Sequence, residues 1–259
     1  MKHHYTAIYT IARFTALEAL RTRYGWLLLL VLLGSLGLAL FSGQIAITES
    51  RQIQAVLAAA SLRLAMVFLL AIFVITSMQR EFCDRTIEWV FSLPLPRATY
   101  YLGKLLGYSL VAMLSILPAC LLMMVLSSVD QALYWSLSLM LELLIVCAAS
   151  LVFATGLAQI TSAITALLAF YLAGRSIAAF QLIAHGPLAH HEALSQRVFS
   201  TLIDGLAYLL PDLDRFSCSD WLIYGHSGWE QIGTQAGQAL IYLLLLSAVA
   251  LFDLYRKNL

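Results

Sequence analysis

The sequence predicts an all-α integral membrane fold with six transmembrane helices, and three observations carry that expectation. Hydrophobic residues fill 61% of the 259 positions, only 11% are charged, and the mean hydropathy is +0.86. Soluble domains average about 45–50% apolar and about 25% charged residues, and a soluble sphere of this size has too little interior to hide the excess. Several long runs carry no charge at all, which suits a hydrocarbon layer crossed by about 20 apolar residues rising 1.5 Å each. Finally, Lys and Arg collect in alternate connections, as the positive-inside rule requires of a multi-pass chain.

Taken in order, residues 1–25 read as an N-terminal interfacial helix. Positions 5–23 lack Gly and Pro and are rich in Ala, Leu and Arg. Ile8, Ile11, Phe14, Leu17 and Leu20 form no single stripe, so this helix either floats on the interface or is wedged between the membrane and another protein. Residues 26–47 are the first span. The run is too long, and begins too late, for a cleavable signal peptide. The second span covers about 55–79, with Arg63 near its outer part and Arg80 at its end, the two expected to snorkel toward opposite interfaces. The third covers about 105–129 and contains Pro118, tolerated where neighbouring helices support the freed carbonyl.

Between 131 and 174 the one charge is Glu142. A single helix of that length would be about twice the hydrocarbon thickness. The chain must therefore turn back, around Thr155, Gly156, Gln159, Thr161 and Ser162, giving spans four and five with a tight connection; 26–184 thus holds five spans. Residues 185–231 form an external region, 232–254 the sixth span, and 255–259 a tail.

One side of this arrangement collects Lys2, Arg13, Arg21, Arg23, Arg80, Arg85, Arg97, Lys104, Arg256 and Lys257, against Arg51, Arg63, Arg197 and Arg215 on the other. The first side is assigned to the cytoplasm, and an even number of spans puts both termini there. The formal net charge of +1 leaves no basic stripe for nucleic acid.

The external region holds Glu192, Asp204, Asp212, Asp214, Asp220 and Glu230. Its apolar piece 201–210 is too short to span, so short helices lying on the outer surface are expected, and a loop of this length is often functional. His185, His190 and His191 have no carboxylate or thiol at a supporting spacing, so solvated imidazoles are expected rather than a metal site. Cys83, Cys120, Cys147 and Cys218 show no CxxC spacing and no disulfide framework. No nucleophile–base arrangement and no H-E-x-x-H is present, so no catalytic residue is assigned.

The stretch 80–104 reads REFCDRTIEWVFSLPLPRATYYLGK. Glu81 and Arg85 stand four apart in the orientation that supports a helix, and Phe82, Trp89, Val90 and Leu93 share one face. Pro94 and Pro96 stop that helix. A short helix with an aromatic face and a charged back suits docking; an ordinary connector resting on lipid headgroups suits the same residues.

In this stretch the chain resembles the type-2 ABC transporter permease family, whose pattern of a Glu, a Thr-x-Glu, a Pro, a basic residue and an aromatic run into Gly-Lys falls here on Glu81, Thr86, Glu88, Pro94, Arg97, Tyr101, Gly103 and Lys104. Arg85 stands where the family often has Gly. Arg21-x-Arg23 ahead of span one is similar to the end of the family's interface helix, and Tyr255-Arg256-Lys257-Asn258-Leu259 to its basic tail. Leu209-Leu210-Pro211-Asp212-Leu213-Asp214-Arg215-Phe216 resembles its Pro-Asp/Asn-Leu…Phe signature, a feature leaning toward the branch linked to multicopper enzyme maturation.

The resemblance implies a permease subunit in a bacterial inner membrane, assembled as two permease copies with two cytoplasmic ATPase subunits. The chain has no G-x-x-x-x-G-K-[ST] loop, so ATP and Mg²⁺ would be held by the partner ATPase and no cofactor by the chain itself. Residues 81–93 would be the coupling helix, seated in a cleft of the ATPase through Glu81, Thr86, Glu88 and Trp89. Within the membrane, Glu142 and Arg175 lie at matching depth on spans four and five, read as an interhelical ion pair, as a protonated Glu142, or as a gate or substrate contact. The expected function is export of an unidentified substrate. The alternatives are a mechanical coupler driven by an ATPase and acting on an extracytoplasmic (periplasmic) partner, and a secondary transporter, for which no matched pair of broken spans stands out.

Overall fold

A computed structural model of the chain describes residues 2–45, 50–84, 96–184, 194–217 and 229–256. In order these form α1 (Lys2–Arg21), α2 (Tyr24–Ile45), α3 (Ser50–Cys83), α4 (Arg97–Leu126), α5 (Val129–Gly156), α6 (Ile160–Ala184), α7 (Leu194–Leu209), a 3-10 turn (Leu213–Ser217) and α8 (Trp229–Arg256). No strand occurs among the described residues. Helices α2, α3, α4, α5, α6 and α8 are long and apolar enough to cross a membrane. Six such helices stand where the six spans are expected, the length and composition of a multi-pass membrane protein.

Burial sorts the six by position. Within its most apolar stretch α5 is 67% buried and α3 61%, against 11% for α2 and 22% for α8, so α3 and α5 form the centre and the others a more exposed rim. The reason lies in α5's sequence. Ile145, Val146, Cys147, Ala148, Ala149, Ser150 and Leu151 are buried in succession, as on a helix surrounded on every side. The small residues among them let neighbouring backbones approach closely.

The connections follow local chemistry. Ser127 and Ser128 separate α4 from α5, and the Ser128 backbone N–H donates to Gln131 Oε1 at 3.4 Å. The tight reversal expected near Gly156 is Leu157–Gln159. Gln79 of α3 caps it, donating through Nε2 to the carbonyls of Ala154 (2.9 Å) and Leu157 (2.6 Å). Pro118 sits inside α4 without ending it.

α1 does not float free. It lies across α4, burying Ala12, Thr15 and Ala19, small residues at helical spacing. Gly103 and Gly107 receive it: a Cβ on Gly103 would lie 2.8 Å from Ile11 Cβ, and one on Gly107 2.6 Å from Thr15 Cβ. The sequence carried no sign of this packing on the chain's own α4.

The region after α6 holds a short helix, as expected, and adds a contact the sequence did not show: α7 folds back along α6, packing Ile203 with Ile177 and Ala184. The chain beyond α7 continues inward. The Pro211 carbonyl lies 2.9 Å from where a Gly174 Cβ would be, and Leu213 and Phe216 are fully buried. Residues 210–217, here termed the plug, therefore pack against the bundle through Pro211, Leu213 and Phe216, with Asp214 and Arg215 exposed. Buried irregular backbone needs partners for its polar groups, and neighbouring helices supply several. Tyr242 donates to the Leu210 carbonyl (2.8 Å) and Gln235 to that of Arg215 (2.7 Å).

Candidate functional site

Two polar clusters stand inside the apolar bundle. The first is central. Arg63, Glu142 and Tyr171 each lie thirteen residues from the same end of the bundle (Ser50 to Arg63, Val129 to Glu142, Tyr171 to Ala184), about 20 Å at 1.5 Å per residue. Arg63 Nη1 donates to Glu142 Oε2 at 2.6 Å and to the Phe216 carbonyl at 2.7 Å. Tyr171 donates to Glu142 Oε1 at 2.8 Å. Ser138 Oγ also donates to the Phe216 carbonyl, and the Arg63 guanidinium lies 5.6 Å from the Trp135 ring centre.

Arg63 is 3% exposed and Glu142 0%, which corrects the expectation that Arg63 snorkels to an interface. At about 20 Å from its helix end the guanidinium is held by a carboxylate and a carbonyl inside the bundle instead. Arg175 reaches the same carboxylate only at 3.9 Å and donates to the Tyr171 hydroxyl at 3.3 Å. It is an outer member of the group, with its side chain 29% exposed. Glu142 thus pairs first with α3 and second with α6. Chemically this is a fixed lock, with a planar cation filling both a carboxylate and a buried carbonyl. It ties α3, α5, α6 and the plug together.

The second cluster lies at the end of the bundle carrying Arg21, Arg80, Arg97 and Arg256, here termed the basic end. Lys104 forms an ion pair with Glu81, and the Tyr100 hydroxyl donates to the other carboxylate oxygen at 2.5 Å. Nearby, Tyr108 donates to Ser77 Oγ (3.0 Å), which donates to Glu18 Oε1 (2.9 Å). α1, α3 and α4 are thereby joined by one polar chain, with Lys104 only 5% exposed.

Of the residues assigned to coupling, the structure brings Glu81 and Lys104 together and gives Gly103 to the α1 crossing. Arg97 Nη1 donates to the carbonyls of Leu254 (2.7 Å) and Tyr255 (3.2 Å), the end of α8 where a cation meets the negative pole of the helix dipole. Arg97→Gln is expected to cost about 1 kcal/mol and to speed hydrogen exchange over the last turn of α8. Thr86, Glu88, Trp89 and Pro94 lie outside the described residues, as do His185, His190 and His191.

Sequence reasoning missed Arg63 as a site residue, and it singled out 209–216 as a motif without placing that segment against the bundle interior. One signal was available: Gln231, Thr234, Gln235 and Gln238 repeat at i, i+3, i+4, i+7 on α8, a polar stripe that a lipid-facing span has no use for. Gln235 on that stripe is the donor to the plug's Arg215 carbonyl. In comparison with known proteins, the chain matches no family model and no curated protein.

Proposed function

We propose that the chain is the membrane subunit of an ATP-driven exporter, moved by a separate cytoplasmic ATPase through the connector between α3 and α4. One observation supports this best. α3 is a single helix of 34 residues, about 50 Å long, that carries Glu81 at the basic end and Arg63 in the central lock. Glu81 is tied to Lys104 at the start of α4, so the two helices flanking the connector share a rigid joint. Force on that connector tilts α3 and α4 as a unit, and α3 passes the motion to Glu142 and the plug. Packed helices move as bodies of this kind rather than bending continuously.

The sidedness assumed is that of the positive-inside rule, with both termini and the connector in the cytoplasm of a bacterial inner membrane. Two permease copies and two ATPases would form the working unit, ATP and Mg²⁺ residing in the latter. The central lock then acts as a gate element, closed while Arg63 holds the Phe216 carbonyl. The export cargo is left open.

A second reading, mechanical coupling to an extracytoplasmic partner, draws on the plug. The segment joining α6 to α8 is anchored directly to α3, so α3 motion would reach whatever docks beyond it.

Co-purification with the ATPase subunit tests the proposal. Glu88→Ala with Trp89→Ala is expected to reduce recovered ATPase about tenfold or more, as loss of an aromatic anchor does at an interface, while leaving the permease monodisperse. Undiminished recovery, with transport intact, would remove the docking role. Substrate-stimulated ATPase activity in reconstituted vesicles separates exporter from coupler.

A further inference from the structure

We infer that the corner where α1 turns into α2 binds the phosphate of an anionic phospholipid. α1 ends at Arg21, Thr22 and Arg23 make the turn, and α2 begins at Tyr24. A groove of about 430 Å³ opens on one side of this turn, between Arg21, Arg23, Gly25, Trp26 and Leu29. A second, of about 170 Å³, opens on the other side between α2 and α3, and the two share Thr22 and Arg23. The second groove has Arg80 on its rim and Leu27, Leu69, Ile72 and Phe73 on its walls.

The chemistry of the lining commits the occupant. Three exposed guanidinium groups line the two grooves, Arg21 and Arg23 the first and Arg23 and Arg80 the second. None has an ion pair or side-chain hydrogen bond among the described residues. The one acid on the rim, Glu18, already accepts a hydrogen bond from Ser77. Guanidinium forks match phosphate oxygens better than any other side chain. Directly beneath the cationic rim the walls turn apolar, and Trp26, 76% exposed, stands at the boundary as an interfacial anchor does. A molecule with a phosphate monoanion at one end and hydrocarbon at the other fits both halves, and a basic recess between membrane helices is where such headgroups settle. A zwitterionic lipid carries the same phosphate, but its ammonium group would face three cations. A lipid seated there also bridges α1, α2 and α3, the helices meeting at the basic end.

The test uses the full chain purified in mild detergent with added phosphatidylglycerol or phosphatidylethanolamine, with retained lipids counted by native mass spectrometry. Wild-type protein is expected to retain phosphatidylglycerol in preference. Arg23→Gln should weaken that retention about fivefold, and the triple Arg21→Gln, Arg23→Gln, Arg80→Gln variant by more than tenfold. Arg23→Lys, which keeps the charge and guards against a folding artefact, should retain most of it. Arg13→Gln, an exposed arginine of α1 outside both grooves, should change nothing. Equal retention of the two lipids, undiminished retention by the triple variant, or an Arg13→Gln loss as large as the triple's would overturn the inference. So would displacement by millimolar inorganic phosphate, which would make the corner a free-anion site.

Discussion

Replacing Arg63 with alanine is expected to destabilise the protein by about 3 kcal/mol, the scale of a buried ion pair broken on one side. Glu142 would be left fully buried, with Arg175 at 3.9 Å as its nearest remaining cation. The Phe216 carbonyl would lose one of its two donors, keeping Ser138. An unpaired charge and a half-satisfied carbonyl in a water-poor interior both act in the same direction. Removing both charges with apolar residues of similar length, Arg63→Met with Glu142→Leu, should recover most of the loss, because the desolvation cost disappears with the pair. Thermal unfolding of the purified chain in detergent reads both variants. The double variant also separates stability from action. If the lock works as a gate, it should melt near wild type yet fail to move substrate. A single variant as stable as wild type would show that Arg63 does not hold the bundle.

Gly107→Leu is expected to lift α1 from α4, with a cost of about 1–3 kcal/mol. A Cβ there would stand 2.6 Å from Thr15 Cβ and 3.1 Å from the Ala12 carbonyl. The second of these is helix backbone, which cannot rotate away. Gly103 meets α1 one turn earlier through Ile11 and the Ile8 carbonyl, so the two glycines form one crossing of the small-xxx-small kind. Spin labels on Phe14 and Met113, both exposed, would report the separation of the two helices in a variant without native cysteines. The distance distribution should be narrow in the parent and broad and longer in Gly107→Leu. Unchanged distances would mean that α1 docks by other contacts.

How far the sequence reaches is clear from these same residues. The spans could be read because lipid demands long chargeless runs and helices satisfy their own backbone. The reversal at Leu157–Gln159 followed from length alone. Arg63 could not be read correctly, since its partners Glu142 and Phe216 lie 79 and 153 positions away, and periodicity within one helix carries no information about them. A lone arginine near the outer part of a span suits snorkelling as well as burial. The burial of 210–217 was missed for a related reason. Residues 201–210 read as an apolar piece too short to span, while the room and the donors for the backbone of 210–217 come from other helices: Gly174 makes room, and Arg63, Ser138, Gln235 and Tyr242 donate to its carbonyls. Gly103 and Lys104 stood out as parts of a motif, and the structure gives each a physical role. Gly103 admits α1, and Lys104 neutralises Glu81.

Sidedness is the premise on which the proposed motor depends, and Cys83 measures it directly. It ends α3 beside the connector and is exposed, whereas Cys120 and Cys147 lie within spans and Cys147 is buried. In a variant keeping Cys83 as its one cysteine, expressed in a bacterial host, a membrane-impermeant maleimide should leave intact cells unlabelled and react once the membrane is opened. Labelling of Cys83 in intact cells would put the Glu81–Lys104 joint on the outer face, out of reach of any nucleotide-driven partner.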